Sequence, residues 1–402
     1  MRAGLRPPVS GSTASEDLRR RLIELESVAA ESPAAIEIVR SPGRVNLIGE
    51  YTDVNEGFVL PAAIDREIRI ALVPSRDRRV VLHRLDTGET GSFELESLPS
   101  RAGGWLDYAV GTAWALAAAG VNLRGIRGAI STNLPPGAGL SSSAAIELAI
   151  ARALIEPGAQ SIEGLELARI CQRAENLFVG VQSGLMDQFA VACGRAGSAL
   201  LLDCRSLEWR SVPLPEEFRL VVCDTGSPRE LAGSEYNVRR RQCEAAVAAL
   251  ARDDPGIHSL RDVTPEVLAG AESSGRLDPL LARRARHVVS ENGRVLAAVA
   301  ALEADDIPAV ADAFAESHAS LRDQFEVSSP ALDAMVEIAT STPGVEAARM
   351  TGAGFGGCTI NLVRSDAVDR LAARVERDYP GRTGLSPRVF PVTAADGAGF
   401  VA

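Results

Sequence analysis

The sequence predicts an α+β fold. Three observations carry that expectation: strand signals crowd the first half of the chain, helical periodicity dominates after residue 234, and the two mix without the regular alternation of a doubly wound parallel sheet. Residues 1 to about 15 read as a loose Pro/Ser/Gly tail, and residues 16–30 as a helix on which Leu18, Leu22, Ile23 and Leu25 recur near helical spacing. Strand signals follow at 36–40, 45–49, 67–74 and 78–85, separated by turn residues. Residues 104–119 read as a mostly buried helix, 126–132 as a strand running into a Gly/Pro loop, and 141–154 as the helix that follows. A helix at 164–180, a loop, and strands near 198–203 and 219–224 come next. Helices are expected near 234–252, 264–269, 277–303 and 306–324. A strand, glycine loop, strand unit at 345–363, a helix at 366–378 and a strand near 387–392 complete the pattern. A boundary near residue 205 divides the chain into a tail and helix start (1–25), a first lobe (26–205) and a second lobe (206–402).

With 402 residues, 46% hydrophobic and 24% charged, the chain can bury sizeable cores. A net charge of −11 argues against nucleic acid or an anionic membrane as partner, since both need a positive footprint. No lysine occurs; all 42 basic residues are arginine. That excludes Schiff-base chemistry on lysine, a complete Walker A motif and the protein-kinase strand lysine. Any phosphate handling must rest on backbone amides, arginine and a metal. The six cysteines form no C-x-x-C pair, and the N-terminal thirty residues hold no apolar signal core. The expectation is a cytoplasmic protein with reduced thiols and no membrane span. The four histidines are scattered without metal-ligand spacing and read as surface or structural residues.

The clearest chemical segment is PPGAGLSSSAA at 135–145, which follows a strand and opens a helix. Glycines let the backbone approach a ligand, and a helix start offers free N–H groups and a positive dipole end to phosphate. Its serines can cap the helix, donate to phosphate oxygens or ligate a metal. Near the N-terminus, residues 41–61 carry Arg44, Asn46, Glu50, Asp53 and Asn55 within twelve residues, too polar for a plain core strand. Glu50 and Asp53 can accept hydrogen bonds from sugar hydroxyls; Arg44 can neutralise a phosphoryl group or hold a carboxylate. Glu175 and Asp187 form a second acidic pair flanking a Gly180 to Gly184 loop. Phosphoryl transfer needs two such acids, one on Mg2+ and one beside the nucleophilic hydroxyl. A third glycine loop, TGAGFGGCT, occupies 351–359, and Tyr236 precedes an arginine-rich helix.

Three of these motifs, PGRVNLIGEYTDVNEGFVLP at 42–61, PPGAGLSSSAA and TGAGFGGCT, resemble the GHMP kinase superfamily and, within it, the galactokinase branch. AENLFVGVQSGLMDQF and SEYNVRRRQCE are similar to that branch as well. The resemblance implies two lobes: an N-terminal ribosomal-protein-S5-domain-2-like lobe carrying the sugar and ATP loops, and a C-terminal ferredoxin-like lobe. It implies an ATP- and Mg2+-dependent sugar 1-kinase acting on galactose, monomeric or weakly dimeric. Carried over by motif, Gly137, Ala138, Gly139, Leu140, Ser141, Ser142 and Ser143 would wrap the ATP phosphates, and Ser143 and Glu175 would hold Mg2+. Asp187 would act as base on, or orient, the anomeric hydroxyl, with Arg44 paired to it and stabilising the transition state. Glu50, Tyr51, Thr52, Asp53, Gly184 and Tyr236 would line the sugar site. The branch usually reads GEHTDY; here Tyr51 stands in place of a histidine expected near the sugar 6-hydroxyl, and Val54 in place of a tyrosine. A kinase for N-acetylgalactosamine, arabinose or a uronic acid is the nearest alternative. A silent sugar sensor is a more distant one, disfavoured by the complete Gly-Ser loop.

Overall fold

The computed structural model describes residues 11–158, 161–227 and 232–401. Of the tail expected over 1–15, residues 1–10 lie outside the described residues, and 11–15 already belong to helix α1 (Gly11–Leu25). Helix α2 (Ser27–Glu31) follows, and strand β1 (Glu37–Asn46) runs antiparallel to β3 (Pro61–Ser75), with the short β2 (Phe58–Val59) between them in sequence. Leu18 and Leu22 of α1 bury their stripe on Ile38, Ala71, Val73 and Ala129 of the sheet.

Strands β4 (Arg79–Arg84) and β5 (Thr90–Glu94), helix α3 (Leu106–Ala118) and strand β6 (Gly125–Thr132) join a six-stranded sheet that the C-terminal strand β13 (Gly399–Phe400) completes, in the order β13-β1-β3-β6-β4-β5. Its one parallel pair is β4 with β6, and α3 lies in that crossover. Helices α4 (Ser142–Leu154), α5 (Gly164–Arg173) and α6 (Met186–Cys193) follow, with a π-helical turn over Ala174–Val179. Strands β7 (Ser198–Asp203) and β8 (Trp209–Pro213) pair with β2 in a small sheet, and β9 (Phe218–Asp224) begins another.

Helices α7 (Ala232–Leu250), α8 (Pro265–Ser273), α9 (Pro279–Glu303), α10 (Ile307–Asp323) and α11 (Pro330–Thr340) come next. Thr264, Asp278, Asp306 and Ser329 each cap the helix that starts at the following residue, ahead of a proline in its first turn. Strands β10 (Val345–Thr351) and β11 (Cys358–Arg364), helix α12 (Val368–Thr383) and strands β12 (Arg388–Val392) and β13 (Gly399–Phe400) finish the chain. The second sheet is antiparallel in the order β10-β11-β9-β12. Val221, Cys223 and Val363 point one way, onto α11 and α12, while Leu220, Val222, Ile360 and Leu362 join the core of the first sheet. Both faces are therefore covered. Strand β13 pairs with β1, so the C-terminal residues return to the first sheet. Among the described residues no helix is long and apolar enough to cross a membrane, and all six cysteines are free.

The α+β class stands. The strand expected over 45–49 does not: β1 is continuous from Glu37 to Asn46 and bends away at Leu47. Pro42 and Gly43 interrupt it without ending it, because the pairing with β3 shifts register between Pro42 and Arg44. Helices α6 and α11 and strands β5 and β8 carried no expectation; each is short and packs a surface that other elements supply.

Candidate active site

The bulge in β1 re-aims Arg44. Gly43 passes so close to the 135–145 loop that a Cβ there would stand 2.4 Å from Leu134 and 2.7 Å from the Leu140 carbonyl. The Arg44 amide donates to that same carbonyl at 3.1 Å, fixing strand to loop. The Arg44 side chain, only 6% exposed, then donates through Nε to Asp187 Oδ1 (2.7 Å), through one Nη to Asp187 Oδ2 (2.8 Å) and through the other to the Gly139 carbonyl (2.7 Å). Paired parallel N–H donors on one carboxylate fix its orientation. Asp187 sits in the first turn of α6, and the Ser141 hydroxyl donates to its Oδ2. Ser141 adopts φ 57° and makes no side-chain cap for α4. The capping role open to this serine is thus replaced by a contact with the acid.

Asp53 approaches the same helix start, where the Met186 amide donates to its carboxylate. Burial and the neighbouring Asp187 charge push its pKa up to about 6. Gly184 leaves room for it: a Cβ on Gly184 would stand 1.9 Å from Asp53 Oδ2. Glu175 lies on the π-helical turn, whose widened backbone lets its carbonyl accept from both Gly180 (2.8 Å) and Val181 (3.1 Å). Its carboxylate accepts from the hydroxyls of Ser183 and Ser143 and from Gln188 Nε2 at 2.8 Å. Burial raises its pKa, and those hydrogen bonds oppose the rise.

One cleft of about 390 Å³ gathers these groups. Arg44, Glu50, Tyr51, Asp53, Glu175, Gly184, Asp187 and Tyr236 line it, as do Gly137, Gly139, Leu140, Ser141, Ser142 and Ser143. Two expected residues do not. Thr52 is fully buried and shares its one hydroxyl proton between the carbonyls of Gly49 (2.8 Å) and Phe58 (2.6 Å), so it staples its own loop. Ala138 packs in the core, its amide on the Pro135 carbonyl and its carbonyl accepting from Cys358. Tyr51 lines the cleft but gives its phenolic proton to the Ala353 carbonyl at 2.7 Å, and its ring packs on Tyr236 and Phe325.

Sequence reasoning missed four buried residues around the cleft. Gln188 Nε2 bridges Glu175 to Glu147 Oε2 (3.0 Å), and the second oxygen of Glu147 has no partner among the described residues. Arg349 and Glu291 support the loop that bears Glu50. A lone acid four residues after Ser143 in an Ala/Leu/Ile helix, and a lone arginine in a buried strand, are signals for Glu147 and Arg349. Glu291 has no such signal, because its helix is rich in charges.

Comparison with known proteins yields one consistent result. Models described as GHMP kinases N terminal domain, galactokinase galactose-binding signature and GHMP kinases C terminal match residues 107–195, 26–74 and 298–381. The galactokinase of Roseiflexus sp. (strain RS-1) is 47% identical over 364 residues, 90% of this chain and 93% of that protein. That of Chloroflexus aurantiacus is 45% identical over 363 residues, covering 90% and 92%. The crystal structure of Lactococcus lactis galactokinase complexed with galactose superposes with a TM-score of 0.88 at 34% identity, covering 94% of this chain and 99% of that one. Methanococcus jannaschii mevalonate kinase shares the fold, with a TM-score of 0.61, 16% identity and coverage of 89% and 98%.

Proposed function

This chain belongs to the galactokinase family of GHMP kinases, and from that premise we propose that it moves the γ-phosphoryl group of ATP onto the C1 hydroxyl of galactose. The observation that carries the reading is the Arg44–Asp187 pair, which the Ser141 hydroxyl and the Gly139 carbonyl of the Gly-Ser loop join directly. Sugar-side acids and a phosphate-cradling loop thus share one cleft with a cation between them.

In this reading the amides of residues 137–143 and the open start of α4 hold the ATP phosphates. Glu50, Asp53, Gly184 and Tyr236 surround the sugar. Asp187 holds the C1 hydroxyl in line with the γ-phosphorus and receives its proton as the new O–P bond forms and the bond to ADP breaks. Arg44 keeps Asp187 oriented and offsets charge spreading over the transferred group.

The chemistry around Ser143 and Glu175 suits Mg2+. Both present hard oxygens, and Glu175 is held by Gln188 and Ser183. Among the described residues no set of three or more His, Cys, Asp or Glu side chains would cage a metal unaided. When bound, Mg2+ neutralises charge on the β- and γ-phosphates.

Tyr51 is the reason to test the sugar directly. ADP release should be measured over galactose, N-acetylgalactosamine, arabinose, galacturonate and glucose. Galactose should give the highest kcat/KM. Turnover of another member with galactose inert would replace the substrate, and sugar binding without ADP would replace the enzyme by a sensor.

A further inference from the structure

Glu50 lines the cleft, yet nothing in its own loop holds it. Its carboxylate accepts from a guanidinium N–H of Arg349 and, through Oε1, from the Gly352 amide at 3.0 Å. Arg349 is fully buried on β10 and donates its other Nη to the Leu47 carbonyl at 2.8 Å. Glu291 of α9, also fully buried, accepts the Gly49 amide on Oε1 at 3.1 Å and lies 3.8 Å from Arg349. Ser317 and Arg294 fix Glu291 in turn, at 2.5 Å and 2.7 Å. His287 completes the set, with Nε2 at 3.2 Å from the Glu50 carbonyl and Nδ1 at 2.8 Å from the Ser320 hydroxyl. A carbonyl only accepts, so Nε2 carries the proton and Nδ1 takes the Ser320 hydrogen.

Three residues of the loop, Leu47, Gly49 and Glu50, thus have backbone or side-chain contacts to groups that lie about 240 to 300 residues further along the chain. Buried charges of this kind are costly, and a stability role alone would be served as well by apolar packing. The charges converge on Glu50, the one member of the set that lines the cleft. We propose that Arg349, backed by Glu291, is a positioning residue for sugar binding: it holds the Glu50 carboxylate at a fixed place in the cleft and locks it to the glycine loop at 351–357. The proposal rests on the sugar reading of the cleft given above.

Arg349→Lys keeps the positive charge but loses the planar fork that spans Glu50 and Leu47. The expected result is a rise of about tenfold or more in KM for galactose, with KM for ATP and kcat within about threefold of wild type. In a Glu50→Gln background the same Arg349→Lys change should alter KM for galactose less than about twofold, because the two residues act through one contact. Equal rises in both KM values, an unchanged KM for galactose, or full multiplication of the two effects in the double variant would each overturn the proposal. Arg349→Met, assayed by calorimetric sugar affinity on folded protein, reads the same ratio without turnover. If wild type prefers another sugar of the panel, that sugar replaces galactose in every arm, so a wrong substrate and a wrong positioning role give different results.

Discussion

Asp187 receives three donors, two from Arg44 and one from Ser141. Replacing it with alanine removes the partner of a buried guanidinium and, in the proposed mechanism, the group that meets the sugar hydroxyl. Turnover should fall at least ~100-fold, measured as steady-state kcat with both substrates saturating. Asp53 tells a different story. Its pKa of about 6 lies above the ordinary carboxylate value, so folding favours the protonated form. The stability this contributes is complete below the unfolded pKa near 4 and is lost as pH rises through about 6. At neutral pH the ionised group works against the fold. Asp53→Asn should therefore raise the melting temperature at pH 7.5 by about 1–2 °C, a gain that shrinks toward pH 4, while sugar affinity falls. Gly184→Ala drives a methyl into Asp53 and should raise KM for the sugar about tenfold with a nearly normal KM for ATP.

At the scale of elements, sequence legibility follows from what each local signal encodes. The Gly-Ser loop and the helix it opens were readable because glycine, serine and helical periodicity are local. The β1 bulge was not, because a Pro-Gly step looks the same whether it ends a strand or shifts its register. The helix expected over 164–180 is in fact α5 continued by a π-helical turn, a change of hydrogen-bond ring size that periodicity does not resolve. Helix α6 went unseen at eight residues, although its first turn carries Asp187. The acids were readable as residues; that Gln188 ties Glu175 to Glu147 depends on how α6 packs on α4. Gln188→Leu unties both carboxylates. The Mg2+ concentration for half-maximal rate should rise about tenfold, with the sugar KM unchanged, in a titration at fixed ATP.

Across the whole molecule, the site lies where the two sheets meet. The β10–β11 loop reaches back to the sugar motif: Thr351 exchanges hydrogen bonds with the Asn46 backbone at 3.1 Å and 2.9 Å, Gly352 donates to Glu50, and Tyr51 donates to Ala353. Motifs 300 residues apart in sequence become one wall, which explains why the motif content was legible while its bracing by Arg349 and Glu291 was not. Long-range pairs leave no spacing pattern in a single chain. In the proposed reaction this wall, the Gly-Ser loop and the Arg44–Asp187 pair together deliver phosphate to an anomeric oxygen. The direct measurement is 31P NMR of a reaction containing ATP, Mg2+ and galactose labelled with 13C at C1. Transfer to C1 should give one new phosphate ester, coupled to the labelled carbon and formed mole for mole with ADP. An uncoupled ester, or ADP formed with inorganic phosphate alone, would contradict it.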